Sequence, residues 1–199
     1  VKGPVRGIQH PPQGCRLSAP EMMGTGPVSG EADLNALFTE KRLRQATMTA
    51  AQQLDNQALL HIGTHFVLRP GNVSRSWLLL GDGARLTLRG MGDMSLANTS
   101  LVVISACQTG VPGAGANGIE VDGLPATLLG RGAQRVIASL WRVDDLHTAQ
   151  FMQRFYAALS ARPNDYAGAM RQAQQSDGEM VLPHPYYWAA FNLVERNGN

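Results

Sequence analysis

Lysine is almost missing from this chain: it occurs only at Lys2 and Lys41, so nearly all of the positive charge is arginine. Charge of either sign is scarce, with 17 Lys plus Arg against 15 Asp plus Glu in 199 residues and a net charge of +2 at pH 7. There is no basic run and no basic–aromatic interleaving, which argues against a nucleic-acid partner. Cysteine is limited to Cys15 and Cys107, and two cysteines in a chain of this length do not make a disulfide framework. No apolar run reaches the length of a membrane span. Val1–Gly7 lacks the charged-then-apolar order of a signal peptide. These absences give the expectation of a cytoplasmic protein. The chain opens on Val1 rather than on methionine and is expected to be an excised or processed piece of something longer.

What is present suffices for one domain. A hydrophobic fraction of 44% over 199 residues is ordinary for a globular chain and supplies a core that needs no staples. Residues 1–30 are rich in proline and glycine and read as a loop, extended arm or linker. The domain proper is expected over 31–199. Its first part, with Leu34, Leu37, Phe38, Leu43, Met48, Ala51 and Leu54 at roughly helical spacing, suits one long helix or two short ones, with Thr47 as a cap.

The most informative stretch is Leu101-Val102-Val103-Ile104-Ser105-Ala106-Cys107. Its apolar residues show no alternation, as in a central strand of a parallel sheet covered on both faces. A glycine-rich loop follows, through Gly110, Gly113, Gly115 and Gly118. In open α/β sheets, sites form at the carboxyl ends of strands. Cys107 stands where a nucleophile would stand, although a free cysteine is more often a small core hydrophobe.

A second short strand, Ala58–Ile62, leads into Gly63-Thr64-His65. In an extended chain His61, Gly63 and His65 point to one side. A zinc site using His61 and His65 is disfavoured, because the segment does not read as a helix and no third ligand is near in sequence. His61 reads as a hydrogen-bonded buried histidine, and His65 as the one placed to reach a neighbouring site.

The remaining elements alternate. Ser76–Leu80 and Ala84–Leu88 flank Gly81-Asp82-Gly83 as a β-hairpin, with a short helix or turn at Met91–Leu96. Leu124–Leu129 reads as a helix stopped by Gly130 and Gly132, and Arg135–Trp141 as a continuous apolar strand. Helices follow with an apolar face of Ala149, Met152, Phe155, Tyr156 and Leu159, then at Tyr166–Gln175. A last strand is expected at Tyr187–Val194, after a turn at Pro183-His184-Pro185. This order argues for an α/β fold with a mainly parallel sheet. If the two strands before His65 and Cys107 are neighbours, their ends lie about 5 Å apart or a multiple of that. The imidazole would then take the thiol proton, and the thiolate would attack a carbonyl.

Five segments together resemble one family. His61-Ile62-Gly63-Thr64-His65, Ser105–Gly110, Gly132-Ala133, Ser139–Asp145 and His184–Phe191 are similar to the CHAT domain. This is a caspase-like, separase-related group of clan CD cysteine peptidases, often found after tetratricopeptide repeats. The resemblance covers roughly residues 31–195, although such domains normally carry more sheet and helix before the histidine motif. It implies a caspase-like three-layer sandwich, with a mainly parallel central sheet flanked by helices. It also implies a thiol protease with His65 and Cys107 as catalytic dyad and no cofactor or metal. The oxyanion would be held by the backbone N–H groups of Cys107 and Phe66; the family usually has glycine where Phe66 stands. In separase a Trp-x-Val-x-Asp stretch receives a basic substrate residue, and Trp141–Asp145 matches it. Asp145, with Asp144 beside it, would therefore bind Arg or Lys, unless Asp145 simply caps the helix near Leu146. Glu120 and Asp122 are further candidates to line the cleft. The implied partners are a protein substrate and a regulatory protein or tetratricopeptide-repeat region outside this chain, with no nucleic acid contacted. A non-catalytic caspase-like interaction module is the alternative.

Overall fold

The computed structural model describes residues 5–9, 40–41, 43–44, 47–48, 58–64, 66–69, 72–80, 83–105, 113–114, 120–121, 123–141, 145–175 and 184–196. At 5–9, 58, 113–114, 120–121 and 145 only the backbone is described. The elements are β1 (Val5–Gln9), β2 (Ala58–Gly63), β3 (Phe66–Val67), β4 (Trp77–Leu79), β5 (Arg85–Thr87), α1 (Leu88–Met91), β6 (Thr99–Ser105), β7 (Gly113–Ala114), β8 (Glu120–Val121), α2 (Leu124–Gly130), β9 (Arg135–Ser139), α3 (Asp145–Ala161), α4 (Tyr166–Gln174), α5 (Pro185–Trp188) and β10 (Phe191–Glu195).

The central sheet has the order β1-β2-β6-β9-β10. Its first four strands are parallel, and β10 closes one edge antiparallel to β9. The lack of alternation in β6 has a direct cause. Val102 and Ile104 pack on one face with Val136, Ala138, Leu124 and Leu128, while Leu101 and Val103 pack on the other with Phe151, Phe155 and Ile137. All four β6 side chains are completely buried. Burying each contributes on the order of 2 kcal/mol. Helices α3 and α4 thus cover one face. Helix α2, with α1 and the small sheet β3-β4-β5, covers the other. This is the three-layer α/β architecture with a mostly parallel sheet. Among the described residues, no helix is long and apolar enough to cross a membrane.

The expected hairpin forms, with Trp77 opposite Thr87 and Leu79 opposite Arg85. Four local readings change. Val5–Gln9, expected as loop or extended arm, pairs in parallel with Leu59–Gly63 as the outer strand. Leu88, expected as the end of a hairpin strand, instead opens a one-turn helix, Leu88–Met91, because the Thr87 hydroxyl accepts from the Gly90 N–H at 3.1 Å and starts it there; the short helix or turn expected at Met91–Leu96 follows as a turn at Gly92-Asp93. Thr47 does not cap a helix. It lies within one, and its hydroxyl donates to the Arg44 carbonyl at 2.9 Å. Finally, Tyr187 and Trp188 are not strand: Pro185 opens a one-turn helix capped by the His184 side chain, and the last strand begins only at Phe191.

Gly132 holds the turn between α2 and β9. Its φ is +109°, and a Cβ there would meet the Ala97 backbone nitrogen at 2.9 Å. Glycine is thus required twice, by backbone conformation and by space. We expect Gly132→Ala to destabilise the fold by about 2 kcal/mol in urea denaturation. A change below about 0.5 kcal/mol would show that the Ala97 segment yields freely.

Candidate active site

Three adjacent parallel strands end along one edge of the central sheet. β2 and β6 are in register to their last residues, with Gly63 opposite Ser105. The Thr64 N–H carries the pairing one step further, donating to the Ser105 carbonyl at 3.3 Å. β9 lies on the other side of β6, with Ala138 opposite Ile104. His65 follows two residues after Gly63, Cys107 two residues after Ser105, and Asp144 and Asp145 soon after Ser139. His65, Cys107, Asp144 and Asp122 lie outside the described residues. Asp145 is the first residue of α3, so it stands inside the helix rather than before it. Glu120 belongs to β8, where it pairs with Ala114 of β7; the glycine-rich loop therefore carries a two-stranded ladder.

Both chain neighbours of His65 are anchored. The Thr64 hydroxyl donates to the Leu79 carbonyl at 2.6 Å, which ties the end of β2 to the hairpin. Phe66 opens β3 opposite Leu78. Its ring is buried in the core with Leu78, Leu86 and Ile62. The bulk of Phe66 is therefore absorbed by the hairpin side of the core.

A third group lies beside the strand ends. His61 Nε2 is 2.7 Å from Ser105 Oγ, and the Tyr156 hydroxyl is 2.9 Å from His61 Nδ1. In a neutral imidazole one ring nitrogen donates and the other accepts, so both bonds form at once in either tautomer. Burial lowers the His61 pKa from 6.5 to about 4, because the charged ring would lose its hydration. Burial also raises the pKa of the Tyr156 phenol, which stays protonated. Both ring nitrogens of His61 are thus engaged in hydrogen bonds to side-chain hydroxyls.

The model of the CHAT domain family matches residues 17–196. This chain belongs to the CHAT domain family. No curated protein matches it. In this CHAT domain three of the five segments start from the carboxyl edge of the sheet, where Gly63 ends β2, Ser105 ends β6 and Ser139 ends β9, whereas Gly132-Ala133 lies before the other end of β9.

The fifth segment, His184–Phe191, supplies an aromatic brace rather than strand. Trp141 Nε1–H donates to the Tyr186 carbonyl at 2.7 Å, and the two rings lie 6.2 Å apart. His147 of α3 stacks on Tyr187 with centroids 3.8 Å apart. These contacts hold α5 against the end of β9 and the start of α3. The sequence reading missed them because a short apolar run does not distinguish a strand from a turn of helix. Pro185 after a capping His184 was the available signal.

The neutral His61 sets a pH dependence of stability. Between about pH 6.5 and about 4 the unfolded chain binds a proton at this imidazole that the folded chain does not. Stability therefore falls as pH drops through that window and levels off below it, by on the order of 3 kcal/mol or less. We expect the urea midpoint to drop less between pH 7 and pH 4.5 in His61→Gln than in wild type. An equal drop in both would mean that His61 is charged in the folded protein.

Proposed function

We propose that this CHAT domain is a cysteine endopeptidase that uses His65 and Cys107 as its dyad. The observation that supports this reading best is the in-register parallel pairing of β2 with β6, the two strands that lead to these residues. Strands in a sheet lie about 5 Å apart, the scale on which an imidazole reaches a thiol. In the reaction, His65 takes the Cys107 proton and the thiolate attacks the scissile carbonyl carbon. The oxyanion accepts hydrogen bonds from the N–H groups of Cys107 and Phe66. The C–N bond then breaks, and His65 returns the proton to the leaving amine. Water, deprotonated by His65, hydrolyses the thioester and frees the acid.

Asp145, together with Asp144 and Glu120, gives the site a preference for Arg or Lys on the acyl side of the cut. The start of α3 at Asp145, six positions after the last residue of β9, supports that assignment. We place the protein in the cytoplasm, where free thiols such as the two of this chain are kept reduced. Control by a sensor or repeat region outside this chain completes the proposal.

Peptide cleavage tests it. Cys107→Ala should abolish cleavage, and His65→Ala should lower kcat/KM by about a thousandfold. Asp145→Asn should cost about tenfold or more on Arg and Lys peptides and little on apolar ones. Cleavage that survives Cys107→Ala would overturn the nucleophile. A full peptide library left uncut, with Cys107 no more reactive than a free thiol, would favour a non-catalytic interaction module.

A further inference from the structure

The Ser105–His61–Tyr156 chain has the outline of a hydrolytic triad: a hydroxyl at 2.7 Å from an imidazole, which a third group orients from its other nitrogen at 2.9 Å. The chemistry does not fit. A catalytic base must accept a proton near neutral pH, whereas this ring is desolvated and its partner is a neutral phenol that gives an imidazolium no counter-charge. What the chain can do is hold position. His61 lies on β2, Ser105 is the last residue of β6, and Tyr156 lies in the middle of α3. His61 and Ser105 have the same strand parity as Leu59, Leu101 and Val103, which face α3. Gly63, which pairs with Ser105, has no side chain to block the diagonal reach from His61. The imidazole thus bridges three elements. Of these, β2 leads to His65, β6 leads to Cys107, and α3 begins at Asp145.

We propose that His61 is a positioning residue of the peptidase: through Ser105 and Tyr156 it locks the strand end before Cys107 to the strand before His65 and to the helix that begins at Asp145. This inference rests on the peptidase reading above. The tether acts at short range, since Ser105 is separated from Cys107 by a single residue. Misplacement of a reacting group by about 1 Å costs on the order of a hundredfold in rate, so a loose strand end is felt in the chemistry before it is felt in binding.

The test uses the whole chain and follows iodoacetamide alkylation of Cys107 against pH, with the labelled cysteine mapped by mass spectrometry to separate it from Cys15. Wild type, His65→Ala, Ser105→Ala, Ser105→Thr and Tyr156→Phe are compared. The expected result is a wild-type inflection well below the free-thiol value of about 8.5. It should rise in His65→Ala, Ser105→Ala and Tyr156→Phe and stay near wild type in Ser105→Thr, which keeps the hydroxyl. Labelling at pH 7 should slow about tenfold in Ser105→Ala. If His65→Ala moves the inflection while Ser105→Ala and Tyr156→Phe do not, the dyad stands and the tether is overturned, even if those variants lose stability. If wild type already titrates as a free thiol and His65→Ala changes nothing, the peptidase reading fails and takes this inference with it. Loss of the inflection shift in Ser105→Thr as fully as in Ser105→Ala would also overturn it, since packing rather than the hydroxyl would then be the cause.

Discussion

Parallel pairing between β2 and β6 is the constraint on which the rest depends. It runs in register from Leu59 opposite Leu101 to Gly63 opposite Ser105 and is extended by the bond from Thr64. Two chain segments more than forty residues apart are thereby brought to the same edge within one strand spacing. Everything else keeps that register fixed. The two-sided burial of Leu101–Ile104 prevents a slip, because a shift of one residue would exchange the faces of every side chain. The hairpin anchors the chain on both sides of His65, and the aromatic brace anchors the beginning of α3.

Polar groups placed inside this frame have a different task from the apolar ones. A histidine desolvated to a pKa of about 4 is costly unless both ring nitrogens are bonded, and here both are. A fully satisfied polar group specifies one arrangement, where an aliphatic residue would tolerate several. Here it fixes the end of β6 against β2 and α3.

Much of the fold was legible in the residues. The unalternating run at 101–105 read as a strand covered on both faces, and the two apolar runs around Gly81-Asp82-Gly83 read as a hairpin, whose strands pair as expected. The helices over Ala149–Leu159 and Tyr166–Gln175 followed from spacing, and Met152, Phe155, Leu159, Tyr166, Ala169, Met170 and Ala173 pack in one core cluster as that spacing requires. Segments failed where local pattern was too short to decide. Tyr186-Tyr187-Trp188 has strand-like composition, yet Pro185 and His184 impose a turn of helix. Val5–Gln9 carries too little apolar character to announce a strand that β2 then recruits by backbone pairing. The partners of His61 were out of reach for another reason: Ser105 and Tyr156 lie 44 and 95 residues away, and no local spacing encodes such a meeting. The reading of His61 as a hydrogen-bonded histidine was nonetheless correct, because its position within an apolar strand already demanded partners; the residue is half-buried rather than fully buried.

The central claim is that His65 and Cys107 act as one electrostatic unit. The most direct measurement is the NMR titration of the His65 imidazole in wild type and in Cys107→Ala, with the five histidine signals assigned by substitution. The account predicts a His65 pKa raised above the ordinary value of about 6.5 by the neighbouring thiolate, falling by about one unit or more when the thiol is removed. An identical His65 titration in the two proteins would contradict it, because a thiolate within reach of the ring cannot leave its charge unfelt.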